Sequence, residues 1–94
     1  MIYALVYDTV ENFAERRKPY RPEHLALIAE AHAGGRLLMA GAMKPVDGAI
    51  DGALLVFRCD HAADVEAFAR RDPYVANSIV TRWRVREWDV VIGQ

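Results

Sequence analysis

Apolar residues come in short blocks separated by charged or turn-forming residues. Ile2 to Tyr7 is apolar throughout and rich in β-branched and aromatic side chains, ending at Asp8-Thr9, which reads as a strand starting almost at the first residue. Glu11 to Tyr20 is mixed and charged, a connecting loop with room for a short turn. Pro22 suits the first position of a helix, where its missing N–H costs nothing, and Gly34-Gly35 ends that helix after Ala33. On a helical wheel His24, Leu25, Leu27, Ile28 and Ala31 form one stripe, which places His24 on the buried side of the first turn. Leu37 to Ala42 and Ala53 to Arg58 read as two strands joined by turn chemistry at Pro45, Asp47-Gly48 and Asp51-Gly52. Asp60 is placed to cap a second helix carrying Val65 and Phe68, which stops near Asp72-Pro73 because a residue before proline is biased away from helix. Ile79 to Trp88 reads as a fourth strand, which Val90-Val91-Ile92 extends or follows.

The order β-α-β-β-α-β is that of the ferredoxin-like split βαβ arrangement: an α+β fold with an antiparallel sheet and both helices on one face, in a single domain over residues 1–94. A half-exposed antiparallel strand should alternate apolar and polar residues. Ile2–Tyr7, Leu37–Ala42 and Ala53–Phe57 do not. Two helices cover one face only, so the other is expected to pack against a second copy of the chain, giving a homodimer. A pocket between sheet and helices is the competing use of the apolar surplus.

Composition narrows the function classes. A chain of 94 residues with 53% hydrophobic and 27% charged residues is globular, and one this short gains from a partner chain. Its single cysteine, Cys59, allows no internal disulfide, so a reducing cytoplasmic setting is expected. No spacing of Cys and His suggests a structural zinc, and no metal or cofactor is expected. A net charge of −1 gives no reason to expect nucleic-acid binding. No apolar run reaches the ~18 residues of a membrane span, and Met1-Ile2-Tyr3-Ala4 does not read as the start of a signal peptide.

Several residues carry chemistry, each with a structural alternative. His24 is either a hydrogen-bonded first-turn residue or a general base kept neutral by the positive end of its helix. Asp72 is the natural N-cap of a short helix opened by Pro73, and from spacing alone that role is favoured over orienting an imidazole. Both helices lie on one face, however, so the end of the second can meet the start of the first. Arg16, Arg17 and Arg21 form a solvated basic loop or an anion site ahead of the first helix. His32, His61, Cys59 and the alternating Arg82, Arg84 and Arg86 read as structural or exposed, and Tyr7, Met39, Trp83 and Trp88 as core or interface.

Arg17-x3-Arg21-x2-His24-Leu25, Leu37-Leu38-x-Ala40-Gly41, Asp47-Gly48, Gly52, Phe68-Ala69 and Asp72-Pro73-Tyr74-Val75 together resemble the YciI-like (YCII-related) family over essentially the full length. The resemblance implies a dimeric α+β barrel and a cleft with a His–Asp pair at the positions of His24 and Asp72. Some related proteins are dehydrochlorinases or dehalogenases of chlorinated aromatic breakdown products, and similar barrels include muconolactone isomerase and cofactor-free oxygenases. Where the family's strand often ends Ala-Gly-Pro, this chain has Ala40-Gly41-Ala42, which is expected to loosen the following loop. The expected function is a cofactor-independent lyase or isomerase acting on a small organic substrate. His24 would move the proton and Asp72 would orient it, with Arg17 or Arg21 on a substrate carboxylate and Met39, Gly41 and Tyr74 in the pocket. A non-catalytic dimeric binding or accessory module and a cofactor-free oxygenase are the alternatives.

Overall fold

A computed structural model describes residues 1–93. The chain forms β1 (Ile2–Thr9), α1 (Phe13–Arg16), a 3-10 turn over Lys18–Tyr20, α2 (Arg21–Ala33), β2 (Leu37–Met43), β3 (Gly52–Arg58), α3 (Ala62–Arg71), α4 (Pro73–Ala76) and β4 (Val80–Glu87). The four strands make one antiparallel sheet in the order β2-β3-β1-β4, the ferredoxin-like arrangement expected from the element order. The connecting loop before α2 is more structured than the sequence suggests, because Phe13 buries its ring in the core and anchors a short helical turn.

One face of the sheet packs on the helices. Tyr3, Leu5 and Tyr7 of β1 and Leu55 and Phe57 of β3 meet Ala31 of α2, Val65, Phe68 and Ala69 of α3, and Tyr74 of α4. Leu5, Leu37 and Leu55 are fully buried, and each contributes about 1.5–3 kcal/mol of transfer free energy. The stripe on α2 is narrower than the helical wheel suggests: His24 and Ala31 are buried, but Leu25 is 45% exposed at the mouth of a cleft.

Two helix ends set up the site. At the end of α2, Gly35 takes φ +80°, Gly35 N–H donates to the His32 carbonyl and Arg36 N–H donates to the Ala31 carbonyl. This is the Schellman closure that glycine permits, and it turns the chain directly into β2. At the end of α3, the proline at 73 forces Asp72 out of helical geometry, to φ −70° and ψ 121°. Asp72 thereby ends α3 and caps α4, its Oδ1 accepting from Tyr74 N–H at 3.0 Å. The expected cap at Asp60 does not form. His61 stands at that position instead, and its side chain makes no capping bond.

The sheet register departs from simple alternation in β2. Leu37 pairs with Phe57, but Met39 pairs with Val56, so Leu38 is an extra residue and the parity of the strand flips there. Leu37 faces the helices while Met39, two residues on, faces away. Beyond the bulge the strand continues through Ala42, paired with Ala53, to Met43. Ala42 and Met43 therefore belong to the strand and not to the loop: alanine, unlike proline, keeps an N–H and can stay in a strand. At the other end of the sheet, Trp88 N–H donates to the Ile2 carbonyl, and Val90–Ile92 lie outside any strand, following β4 rather than extending it.

Candidate active site

The buried polar centre of the protein is at the corner between α3 and α4, against the first turn of α2. Asp72 is 0% exposed and His24 8%. Oδ1 of Asp72 accepts from His24 Nδ1–H at 2.8 Å as well as from Tyr74 N–H. Its Oδ2 accepts from the Tyr7 hydroxyl, also at 2.8 Å. The proton is assigned to Nδ1 because an ionised carboxylate can only accept. With its one proton on Nδ1, the ring presents a bare Nε2, the lone pair a general base needs. Tyr74 stacks on the imidazole with ring centroids 3.7 Å apart and planes 12° from parallel, and Phe13 meets Tyr74 edge-on at 5.3 Å. The ring of His24 is thus fixed by a hydrogen bond at one edge and by a stacked face.

The Tyr7 hydroxyl stays protonated. Burial, and then the negative charge of Asp72, push its ionisation far above the usual tyrosine range. A raised folded-state value leaves stability intact below the unfolded value of about 10 and erodes it as pH rises above that. Alkaline denaturation above pH ~10 should therefore carry a slope of about 1.4 kcal/mol per pH unit from this group alone. In Tyr7→Phe that contribution should vanish, followed by circular dichroism against pH. An unchanged alkaline limb in Tyr7→Phe would refute the assignment.

His24 opens onto a cleft of about 340 Å³ lined by Tyr7, Phe13, Arg17, Arg21, Leu25, Ile28, Ala40, Gly41, Ala42, Ile50, Ala53, Leu55 and Tyr74. Arg17, Arg21, Gly41 and Tyr74, expected around the substrate, are all in this wall. Gly41 contributes backbone only, and a Cβ there would meet open space. Asp72 is not in the wall; it stands behind His24. Met39, expected in the pocket, is not there: the bulge at Leu38 turns it to the opposite face of the sheet, beside Leu38, Val56 and Trp88. Tyr7 reads as core from its strand alone. Its role is signalled by the rule that a buried phenol needs a partner, but nothing local says which.

Asp72 serves as cap and as imidazole partner at once, so the two readings of that residue are not exclusive. His32 Nδ1 lies 2.7 Å from the Leu37 carbonyl and ties α2 to β2. Burial lifts the Cys59 thiol above its ordinary ionisation, and its Sγ lies 3.5 Å from the His61 carbonyl, unlike an activated nucleophile. Among the described residues no cluster of His, Cys, Asp or Glu could hold a metal ion. No helix among them is long and apolar enough to cross a membrane.

The family model for the YCII-related domain matches residues 1–89. The chain belongs to the YCII-related family. Protein YciI of Escherichia coli and of Shigella flexneri are each 30% identical to this YCII-related chain, across 97% of it and 99% of the relative. Among solved structures, the 5-chloro-2-hydroxyhydroquinone dehydrochlorinase of Burkholderia phenoliruptrix, in complex with 2,5-dihydroxybenzoquinone, superposes with a TM-score of 0.80. Identity is 16%, with 95% of this chain and 94% of that one covered, and the likeness is one of fold: the α+β barrel protomer. A NIPSNAP domain protein of Burkholderia xenovorans is more distant, at a TM-score of 0.50 and 15% identity over 99% of this chain.

Proposed function

We propose that this YCII-related protein is a cofactor-independent lyase or isomerase that moves a proton on a small organic molecule. The observation that carries the reading is the 2.8 Å contact between His24 Nδ1 and a fully buried Asp72 carboxylate at the wall of a cleft. His24 Nε2 takes a proton from the substrate. The imidazolium that forms is held by the carboxylate on its other nitrogen. In an elimination, the electrons of the broken C–H bond form a double bond and the leaving group departs with its own pair. In an isomerisation, the proton returns at another carbon. Arg17 and Arg21 hold the substrate's charged end.

The family and the dehydrochlorinase neighbour support a chlorinated or hydroxylated ring compound, or a lactone derived from one, as the substrate class. The test is chloride release and solvent-deuterium incorporation across a panel of chlorinated hydroquinones and carboxylated lactones. Wild type should act on at least one member, and His24→Asn at least about a hundredfold more slowly. Ligand-induced stabilisation with no turnover by wild type would favour the binding-module alternative.

We also propose that the open face of the sheet is covered by a second copy in a cytoplasmic homodimer. By alternation, Ala4, Val6 and Leu54 face away from the helices and are half-buried, and Met39 on the same side is 67% exposed. Apolar surface of that extent is uncommon on a lone soluble protomer. Sedimentation at micromolar concentration should give twice the chain mass, and Leu54→Arg should reduce it to one. A single-chain mass for wild type would sink this proposal.

A further inference from the structure

The His24–Asp72 pair leaves the hydroxyl of Tyr74 without a task. Tyr74 is 3% exposed, and its hydroxyl oxygen has no hydrogen-bond partner among the described residues. A buried polar group in that condition is costly and uncommon. The ring cannot turn to relieve it. Its backbone N–H is committed to Asp72, one face is stacked on His24, and Phe13 abuts it edge-on. Thr9 holds the other unpartnered hydroxyl, but Thr9 is not in the cleft wall.

The cleft is also electrically one-sided. Arg17 and Arg21 line it together with His24, and no aspartate or glutamate does. Neither arginine makes an ion pair among the described residues. Arg17 lies over the ring of Phe13, its guanidinium carbon 5.6 Å from the centroid. Burial raises the ionisation of the Tyr74 hydroxyl, while the Arg21 guanidinium, which reaches toward the phenol oxygen as a donor, and then the charge of Arg17 oppose that rise; Arg21 is not at hydrogen-bonding geometry, and the phenol proton has no acceptor. A chain with net charge −1 has thus gathered two uncompensated cations and an unused donor into one cleft.

We infer that the Tyr74 hydroxyl and the Arg21 guanidinium form an oxyanion site at the first turn of α2, so that the cleft takes small acids, carboxylates or phenolates, in their charged form. The phenol donates one hydrogen bond and the guanidinium donates others. The positive end of the 13-residue α2 favours the same charge. The inference rests on the proton-transfer reading only for the chemical step after binding. When His24 takes a proton from the carbon beside a carbonyl, the C–H pair becomes a C=C bond and the carbonyl pair moves onto oxygen. Tyr74 and Arg21 are the donors available to that developing charge. Collapse of the enolate then expels a leaving group with its bonding pair, or returns the proton elsewhere.

Binding can be read without turnover, by calorimetric titration at pH 7. Benzoate serves as the carboxylate probe, 2,4-dinitrophenolate as the phenolate probe and benzamide as the neutral control. Wild type should bind at least one of the two anions saturably and bind benzamide more weakly. Tyr74→Phe keeps the stacked ring and discards only the hydroxyl; it should weaken anion binding about tenfold. Its melting temperature should stay level or rise, since it removes an unpaired buried group. Arg21→Gln should weaken the anions as much or more, while Arg16→Gln, an exposed neighbour outside the cleft, should not. No saturable anion binding by wild type, equal binding of benzamide, or unaltered affinity in Tyr74→Phe would each overturn the inference. Anion binding by a chain that catalyses nothing would instead sink the proton-transfer reading and leave this one standing.

Discussion

Replacing Asp72 with alanine should cost about 3–5 kcal/mol of folding stability, because it strands buried donors rather than merely deleting a contact. The carboxylate accepts from Tyr74 N–H, His24 Nδ1–H and the Tyr7 hydroxyl, and all three donors converge on this one side chain. The cap of α4 goes with it, which accounts for about 1 kcal/mol of that cost. Set against the roughly 5–15 kcal/mol that holds a small domain together, the loss brings the chain close to unfolding. A fall in melting temperature on the order of 20 °C is expected. Asp72→Asn behaves differently. Its carbonyl can keep the cap and the imidazole bond, and its amide can face a Tyr7 hydroxyl turned to accept. What it cannot supply is negative charge for an imidazolium. Asp72→Asn should therefore stay folded yet lose about three orders of magnitude in turnover. Urea denaturation of the two variants beside steady-state assays separates the roles. An Asp72→Ala protein as stable as wild type would show that the carboxylate does not hold this corner.

His24→Asn should show the opposite balance, with chemistry lost and fold kept. The asparagine amide nitrogen can occupy the place of Nδ1 and donate to Asp72, so the buried carboxylate stays paired. The nitrogen proposed to take the substrate proton is gone. General-base removal of this kind costs about 10²–10⁴ in turnover. KM should change far less, since the contacts proposed for Arg17 and Arg21 are left in place. The stack on Tyr74 also shrinks, which should lower the melting temperature modestly and no more. Turnover within a few fold of wild type would remove His24 from the reaction and leave the cleft as a binding site.

Much of the site can be read along the chain because it is made of helix ends. Pro73 fixes where α3 stops, and an aspartate before it is placed to cap α4. Pro22 and Gly34-Gly35 bracket α2 and place His24 in its first turn. These are local effects of φ restriction and of unpaired N–H groups, so a few neighbouring residues suffice to predict them. Tyr7 and Met39 are not legible in the same way. The hydroxyl of Tyr7 needs an acceptor 65 residues away, and the face on which Met39 stands depends on one extra residue in a strand. Neither leaves a mark in composition or periodicity.

The amino-acid order by itself determined the order of the four strands and two main helices, the antiparallel α+β class, the apolar surplus on both sides of the strands, and the presence of an aspartate at a helix junction. Tertiary structure decided what that aspartate does. Asp72 meets His24 across 48 positions of chain only because α2 and α3–α4 lie on the same side of the sheet. Three donors converge on its two oxygens there, which no local stretch of chain could arrange. Hydrogen bonds reach about 3 Å and say nothing along the sequence, so a constellation of side chains comes into being only when packing brings distant segments to that distance.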